Sequence, residues 1–379
     1  MPARSDVPLS LLTLARRQGG LVSAAQASLA GIGGSRRSRL VSSGRWSRRA
    51  WSVYDVEPGR RRSLDERRQE SAWLGLLAFG PEAIAVGGAA LVLHGVAGLP
   101  AVVRPEVALP GGRHLRDRDG ITVRCFGDPL PFPVSRYGAG NVARLPWALA
   151  QAVPQLGARH AVAVLDDVLR RGLLPAHGLS DVRRLVERRR GAASVRDVWD
   201  LVDPRAESPL ETFARVDCIA AGLPPDDLQV VVRSADGTFL GRADLGWRLR
   251  DGGWLLAEID GRDVHEAPEA LLRDRRRQNA LLATGRVRLL RFTAADLGAS
   301  RALVRTVAAS LACDRRPGPG YRVVGVSGHE PRVDDHVGSG RTGDPAMRTA
   351  SAAGPVTRTG SMGEPGQVGV IGRGGDDDD

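Results

Sequence analysis

The chain has 379 residues, a net charge of +11 at pH 7 and an apolar fraction of 42%. That length predicts two or three domains rather than one core, and the positive balance favours polyanionic partners, nucleic acid before anionic membrane. No uninterrupted apolar run of about 18 residues occurs, so a membrane span is not expected.

The start of the chain is interrupted by Arg4 and Asp6 and carries no apolar signal segment. Cys125, Cys218 and Cys313 are odd in number and far apart, which fits neither a zinc cluster nor a disulfide framework. A reducing, cytoplasmic compartment is the expectation. All 54 basic residues are arginine. Lysine's absence fits GC-rich codon usage better than selected chemistry, yet a mechanism that needs lysine must find a substitute.

Residues 1–56 read as a first unit. Leu9, Leu11, Leu12 and Leu14 suggest a helix ending near Gly19-Gly20. Ser23 is placed to cap a helix over 24–30, and Ser35 one over 36–43. Trp46, Trp51, Val53 and Tyr54 flank a basic turn and suggest a hairpin. Three short helices and a hairpin give a winged helix. Residues 1–54 hold nine arginines against one acid, Asp6. Arg36, Arg37 and Arg39 fall in the third helix, where a helix-turn-helix places its recognition helix. Arg45, Arg48 and Arg49 fall in the wing. These six are the candidate contacts to double-stranded DNA, through phosphate oxygens or guanine edges. The plainer reading is a solvated basic face. Trp46 and Trp51 are expected to pack the hairpin onto the helices.

Residues 57–200 read as a mixed α/β middle domain. Residues 57–69 form a charged linker or helix start, and 71–79, 147–153 and 161–171 are helical. Segments 102–109 and 121–125 look like strands around a turn-rich stretch. Residues 83–99, with four glycines and a histidine, look buried. His94 is expected to be a satisfied core histidine. Residues 183–190 read as a basic helix with a solvated face. The Gly31-x-Gly-Gly segment lacks the strand context of a dinucleotide loop.

Residues 201–313 give helix, three strands, helix, strand, helix. Four acids stand out: Glu211, Asp244, Glu258 and Asp260. Glu258 and Asp260 lie two apart on a strand and so share a face. Charge-dense oxygen sites suit Mg²⁺ or Mn²⁺ rather than zinc, and such an ion would activate water against a phosphodiester. An in-register hairpin is not expected to bring Asp244 beside Glu258 without a twist or bulge. Plainer readings stand beside these. Ser208-x-x-Glu211 is a capping box with Pro209 at the first helical position. Asp244 could pair with Arg242 or Arg291, and Asp260-Gly261 could begin a turn. Residues 314–379 lose periodicity and read as a disordered tail.

Two resemblances are specific. Residues 207–297 resemble the very-short-patch-repair-like branch of the PD-(D/E)XK nucleases. The matching text is Glu207-Ser-Pro-Leu-Glu211, Arg242-Ala-Asp-Leu-Gly-Trp247, Ala257-Glu-Ile-Asp-Gly261 with His265, Arg273-Asp-Arg-Arg-Arg277 and Arg288-Leu-Leu-Arg-Phe-Thr293. The resemblance implies Asp244 and Glu258 as metal ligands, and a Mg²⁺- or Mn²⁺-dependent endodeoxyribonuclease. Asp260 stands where the superfamily usually has lysine, so the activating base stays unassigned, with His265 or Arg277 available to orient water or phosphate.

The N-terminal stretch resembles the winged-helix domain of AbiEi-type antitoxins of type IV toxin–antitoxin systems. The carriers are Gly20-Leu-Val-Ser-Ala-Ala-Gln26 and Leu40-Val-x-x-Gly-Arg-Trp46 followed by Val53-Tyr54. It implies a cognate toxin or defence-system partner. The middle region is similar to the segment that links these two modules in actinobacterial proteins, through Ala89-Ala-Leu-Val-Leu-His-Gly95 and residues 163–172. Two functions follow as expectations: a DNA-binding endonuclease, or an antitoxin-like regulator whose nuclease fold is degenerate.

Overall fold

The computed structural model describes residues 7–111, 115–126, 131–175, 177–261 and 268–315. All of these residues belong to one compact unit. The expected disordered tail falls outside the described residues almost entirely.

The first helices are α1 (Leu9–Arg17), α2 (Ala24–Leu29) and α3 (Gly34–Ser42), and the first strands are β1 (Leu21–Ser23), β2 (Ser47–Ala50) and β3 (Val53–Asp55). Ser23 caps α2 as expected: its Oγ accepts from Gln26 N–H while the Gln26 side chain accepts from Ser23 N–H. Helix α3 differs. It begins at Gly34 after Gly33, with no side-chain cap, so Ser35 lies inside it. The hairpin also gains a strand, because β1 pairs with β3 and gives the order β1-β3-β2. A three-residue strand is too short to show alternation. Leu11, Ile32, Leu40 and Trp46 pack a small core between helices and sheet.

Helix α4 (Leu64–Phe79) begins with a capping box between Ser63 and Glu66, so the second half of the charged stretch 57–69 is the helix start and the first half leads into it. It packs against β1, β2 and β3. The joint carries a buried ionic cluster. Arg62 Nη2 lies 2.7 Å from Asp55 Oδ1, and Arg49 Nη1 lies 2.6 Å from Glu70 Oε1. Burial raises the Glu70 pKa against the pull of Arg49 and Arg62. Gly19 and Gly20 have φ of +68 and +92, and an added Cβ would overlap Glu70 backbone and the Arg62 guanidinium respectively. The close approach requires glycine at both positions.

The middle region continues with β4 (Ile84–Ala85), α5 (Gly87–Leu93), β5 (Glu106–Ala108), β6 (Thr122–Arg124), β7 (Val134–Tyr137), β8 (Gly140–Ala143), α6 (Leu145–Ala152), α7 (Ala158–Arg170) and α8 (Gly178–Glu187). The strands form one sheet in the order β6-β5-β4-β8-β7. The pair β7 and β8 was not anticipated, since Val134–Tyr137 is half polar and Gly138 interrupts the pattern. His94 Nε2 lies 2.8 Å from the Ala143 carbonyl oxygen, a satisfied histidine as expected.

The last part comprises α9 (Pro209–Ala220), β9 (Asp227–Arg233), β10 (Phe239–Arg248), β11 (Trp254–Asp260), α10 (Pro268–Ala283), β12 (Val287–Thr293) and α11 (Ala302–Arg315). The sheet order is β12-β11-β10-β9, antiparallel except for the parallel β11–β12 pair that α10 connects. Leu245, Trp247, Leu255, Ala257 and Phe292 form its core with α9 and α11. A buried pair ties α7 to α9: Arg215 Nη2 lies 2.9 Å from Asp166 Oδ2, and Thr212 Oγ1 donates to the same oxygen at 2.8 Å. Burial pushes the Asp166 pKa up to about 6 in spite of Arg215.

Candidate functional site

Strands β10 and β11 carry three of the four acids. Leu245 stands opposite Ala257, and Arg248 opposite Trp254. One step beyond Leu245 and Ala257 in this register, Asp244 is level with Glu258. Regular pairing ends at Leu245 and Ala257, and the backbone beside Asp244 is irregular at Gln229. The turn is closed by Leu249 N–H donating to the Gly253 carbonyl at 2.9 Å. The Asp244 side chain substitutes for part of the ladder there, since its Oδ2 accepts from Ile259 N–H at 2.7 Å.

The other edge of β10 is irregular at the same point. Ala243 faces Val230 and Leu245 faces Leu228, so Gln229 is level with Asp244. Gln229 has φ +53, a left-handed conformation that costs a non-glycine residue about 1–3 kcal/mol. Its Nε2 donates to Glu211 Oε2 at 2.8 Å. Gln229 was missed in the sequence, where nothing marks a strained glutamine inside a strand.

Glu211 arrives from the first turn of α9. Ser208 Oγ accepts from Glu211 N–H at 3.2 Å, so the serine caps the helix as expected. The other half of the box does not close. The Glu211 carboxylate turns toward β9 and accepts from Glu207 N–H at 2.7 Å and from Gln229. Burial raises its pKa against the Glu207 hydrogen bond, and Asp244 adds repulsion. Asp244 is raised for the same reason, mainly by burial, with Glu207 and Asp260 repelling it further.

Glu258 is 6% exposed and surrounded by guanidinium. Arg277 Nη2 donates to its Oε2 at 3.0 Å, and Arg291 Nε lies 3.5 Å from that oxygen. Arg291, opposite Glu258 on β12, also places Nη2 3.0 Å from Asp260 Oδ2. Asp274 on α10 holds both arginines from behind. Burial still raises the Glu258 pKa, so the two guanidiniums do not fully offset desolvation. Glu258 Oε1 is buried without a hydrogen bond, because Arg277 Nη2, 2.9 Å away, lies off the hydrogen-bond direction. The expected Asp244–Arg242 contact is not formed: Arg242 Nη2 lies 2.6 Å from Glu207 Oε2 instead. His265 lies outside the described residues.

The donor set is oxygen only, which suits a hard divalent cation. Among the described residues no group of three or more histidine, cysteine or acidic side chains is disposed to hold a metal. Mg²⁺ ordinarily needs only one or two carboxylates, with water and substrate phosphate completing its shell. Asp244 and Glu258, one bearing a buried oxygen with no hydrogen bond, fit that smaller requirement.

The basic face at the other end of the chain is thinner than its composition implies. Arg37 turns inward: its Nη1 donates to Ser28 Oγ and the Ile32 carbonyl, each at 2.7 Å. Arg49 is drawn to Glu70. Arg36 is half-buried on α3. Arg39, Arg45 and Arg48 remain exposed. Trp46 is buried at 2% exposure as expected, whereas Trp51 is 60% exposed at the hairpin turn. Its expected packing role is therefore corrected: the ring stays mostly open to solvent, although the turn itself is tied to α2 by Ala24 N–H donating to the Ser52 carbonyl at 2.7 Å.

No family model matches the chain. Two proteins of Mycobacterium tuberculosis are similar to it, uncharacterized protein MT2308 of strain CDC 1551 / Oshkosh and uncharacterized protein Rv2248 of strain ATCC 25618 / H37Rv. Each is 30% identical over 230 residues, which span 57% of this chain and 79% of the relative. No helix among the described residues is long and apolar enough to cross a membrane.

Proposed function

The chain belongs to one family with these two uncharacterized mycobacterial proteins, and we propose that it is a DNA-binding protein whose C-terminal part hydrolyses DNA phosphodiesters with Mg²⁺ or Mn²⁺. The observation that carries the reading is the level placement of Asp244 and Glu258 on the two central strands, with Glu211 behind and three raised pKa values among them. Perturbed acids clustered on one sheet face are a mark of functional sites. The helix, three-strand, helix, strand order and the parallel β11–β12 pair support a PD-(D/E)XK assignment, and the three helices with a β1-β3-β2 sheet support a winged helix.

Each side chain has a part in this reading. Asp244 and Glu258 would hold the cation, which would lower the pKa of an attacking water. Gln229 and the Glu207 N–H hold the Glu211 carboxylate near Asp244, whose own oxygen is held by Ile259 N–H. Arg277 and Arg291 swing from Glu258 to the phosphate and take over the charge role of the missing lysine. Arg39, Arg45 and Arg48 bring the duplex to the protein. Plasmid DNA incubated with purified protein and Mg²⁺ or Mn²⁺ should be nicked, and the Glu258→Ala variant should not nick it. Absence of nicking with either metal, or equal nicking by the variant, sinks the enzymatic reading.

A second reading has its own observation. Arg277 and Arg291 already neutralise Glu258 and Asp260, as in an antitoxin-like regulator with a degenerate nuclease fold. Retarded duplex without nicking, unchanged by Glu258→Ala, favours this one.

A further inference from the structure

Trp51 is the largest aromatic side chain in the described structure left open to solvent, at 60% exposure. It is not loosely placed. Its backbone N–H donates to Asp119 Oδ2 of the middle region at 2.8 Å. The next residue, Ser52, has φ +60, so the turn itself is held in the left-handed region. The Arg48 guanidinium lies over the Trp51 ring, 4.9 Å from its centroid. Nearby, Arg118 lies over the Phe79 ring at 4.5 Å and donates to the Ala78 carbonyl at 2.8 Å. A cavity of about 400 Å³ lies between these groups, lined by Arg48, Arg49, Ala50, Trp51, Arg118 and Asp119. A second, more apolar cavity of about 640 Å³ shares Trp51 and Arg118 with it.

We propose that this cleft, where the hairpin meets the middle region, takes a nucleobase with its adjacent phosphate. The base stacks in the cleft on Trp51, and the phosphate meets Arg48 and Arg118. Three features select that ligand. An exposed indole held by its own backbone is a preorganised stacking surface, indifferent to which base it meets. Guanidiniums braced on rings keep their outward N–H groups free for phosphate oxygens. The apolar cavity beside Trp51 gives a flat ring somewhere to enter, while a duplex cannot offer a base there without extruding it. The ligand can come from two sources: a free nucleotide, or an unpaired nucleotide of single-stranded DNA.

The inference rests on the DNA-binding reading only for the second source. Arg48 is common to both readings, and they separate at Trp51, which only the cleft uses, and at Arg39 and Arg45, which lie outside it. The test measures binding of full-length protein to AMP by calorimetry and to fluorescein-labelled (dT)12 and a labelled 20-base-pair duplex by anisotropy, for wild type, Trp51→Ala, Trp51→Phe and Arg39→Ala/Arg45→Ala. Loss of one base–aromatic stack should weaken (dT)12 or AMP roughly tenfold in Trp51→Ala. Trp51→Phe, which keeps a ring, should recover most of it, and duplex binding should change less than either. An effect on AMP alone assigns the cleft to free nucleotide, and one on (dT)12 alone assigns it to single strands. No binding of either probe, or equal affinities in wild type and Trp51→Ala, overturns the proposal. Duplex binding lost in Arg39→Ala/Arg45→Ala while the (dT)12 results hold leaves the two readings independent.

Discussion

The two charged ends of the molecule use arginine in opposite ways. At the N-terminal end, arginines outnumber acids, yet Arg37 turns inward and the exposed Arg49 is ion-paired to Glu70, while Arg39, Arg45 and Arg48 stay exposed. In residues 201–315 arginines and acids are equal in number, and Arg277 and Arg291 are gathered to Glu258 and Asp260. The lesson is that charge counts locate a surface but do not allocate it. An arginine near carbonyls or carboxylates of its own fold is already spoken for.

The largest expected effect tests the buried joint behind the basic end. Arg62→Ala leaves Asp55 and Glu70 buried with Arg49 as their remaining partner. Breaking one side of such a pair costs about 3–5 kcal/mol, so urea unfolding should show a loss of that size. A loss under about 1 kcal/mol would mean the joint behaves as a surface pair.

Arg37→Ala comes next. It removes a charged donor from Ser28 and Ile32, worth about 2 kcal/mol of stability, while duplex affinity at a temperature where the variant is folded stays near wild type. A large affinity loss in the folded variant would return Arg37 to the DNA-contacting set. By contrast, Arg39→Ala/Arg45→Ala should leave the melting temperature unchanged and flatten the slope of log affinity against log salt by about 2. An unchanged slope removes this face from the interface.

The smallest effect concerns the acid cluster. Burial raises the pKa of Glu211 and of Asp244. Each therefore binds its proton more tightly folded than unfolded. Stability is greatest below the ordinary carboxylate pKa, and it falls as pH rises through the raised folded value. Glu211→Gln and Asp244→Asn keep an acceptor and remove the charge. Each should gain about 1 kcal/mol at pH 7, and the gain should vanish in acid. A gain that persists in acid would assign it to packing instead.

These regions also differ in how much the sequence disclosed. The order of elements from α9 to α11 was legible because β10 and β11 are long, apolar and bounded by glycine turns. The level placement of Asp244 and Glu258 was not, because register depends on one residue of turn length. Nor was the Arg277–Glu258 pair, which forms across a helix crossover. At the N-terminal end Ser23 announced α2 through its capping box. The inward turn of Arg37 had no such marker, since it depends on where α3 crosses α2. Trp51 was assigned to packing because tryptophan usually packs. Only the position of the turn reveals that it stands clear.

The buried Asp166–Arg215 pair has a further consequence for how this chain can be divided. It joins a helix of the middle region to the first helix of the last part, with Thr212 on the same carboxylate. A protein cut near residue 201 would keep Asp166 and lose both partners. Recombination that exchanges the last part for another must therefore carry α9 along, or begin with a misfolded middle. The apparent seam between modules is not where the chain comes apart.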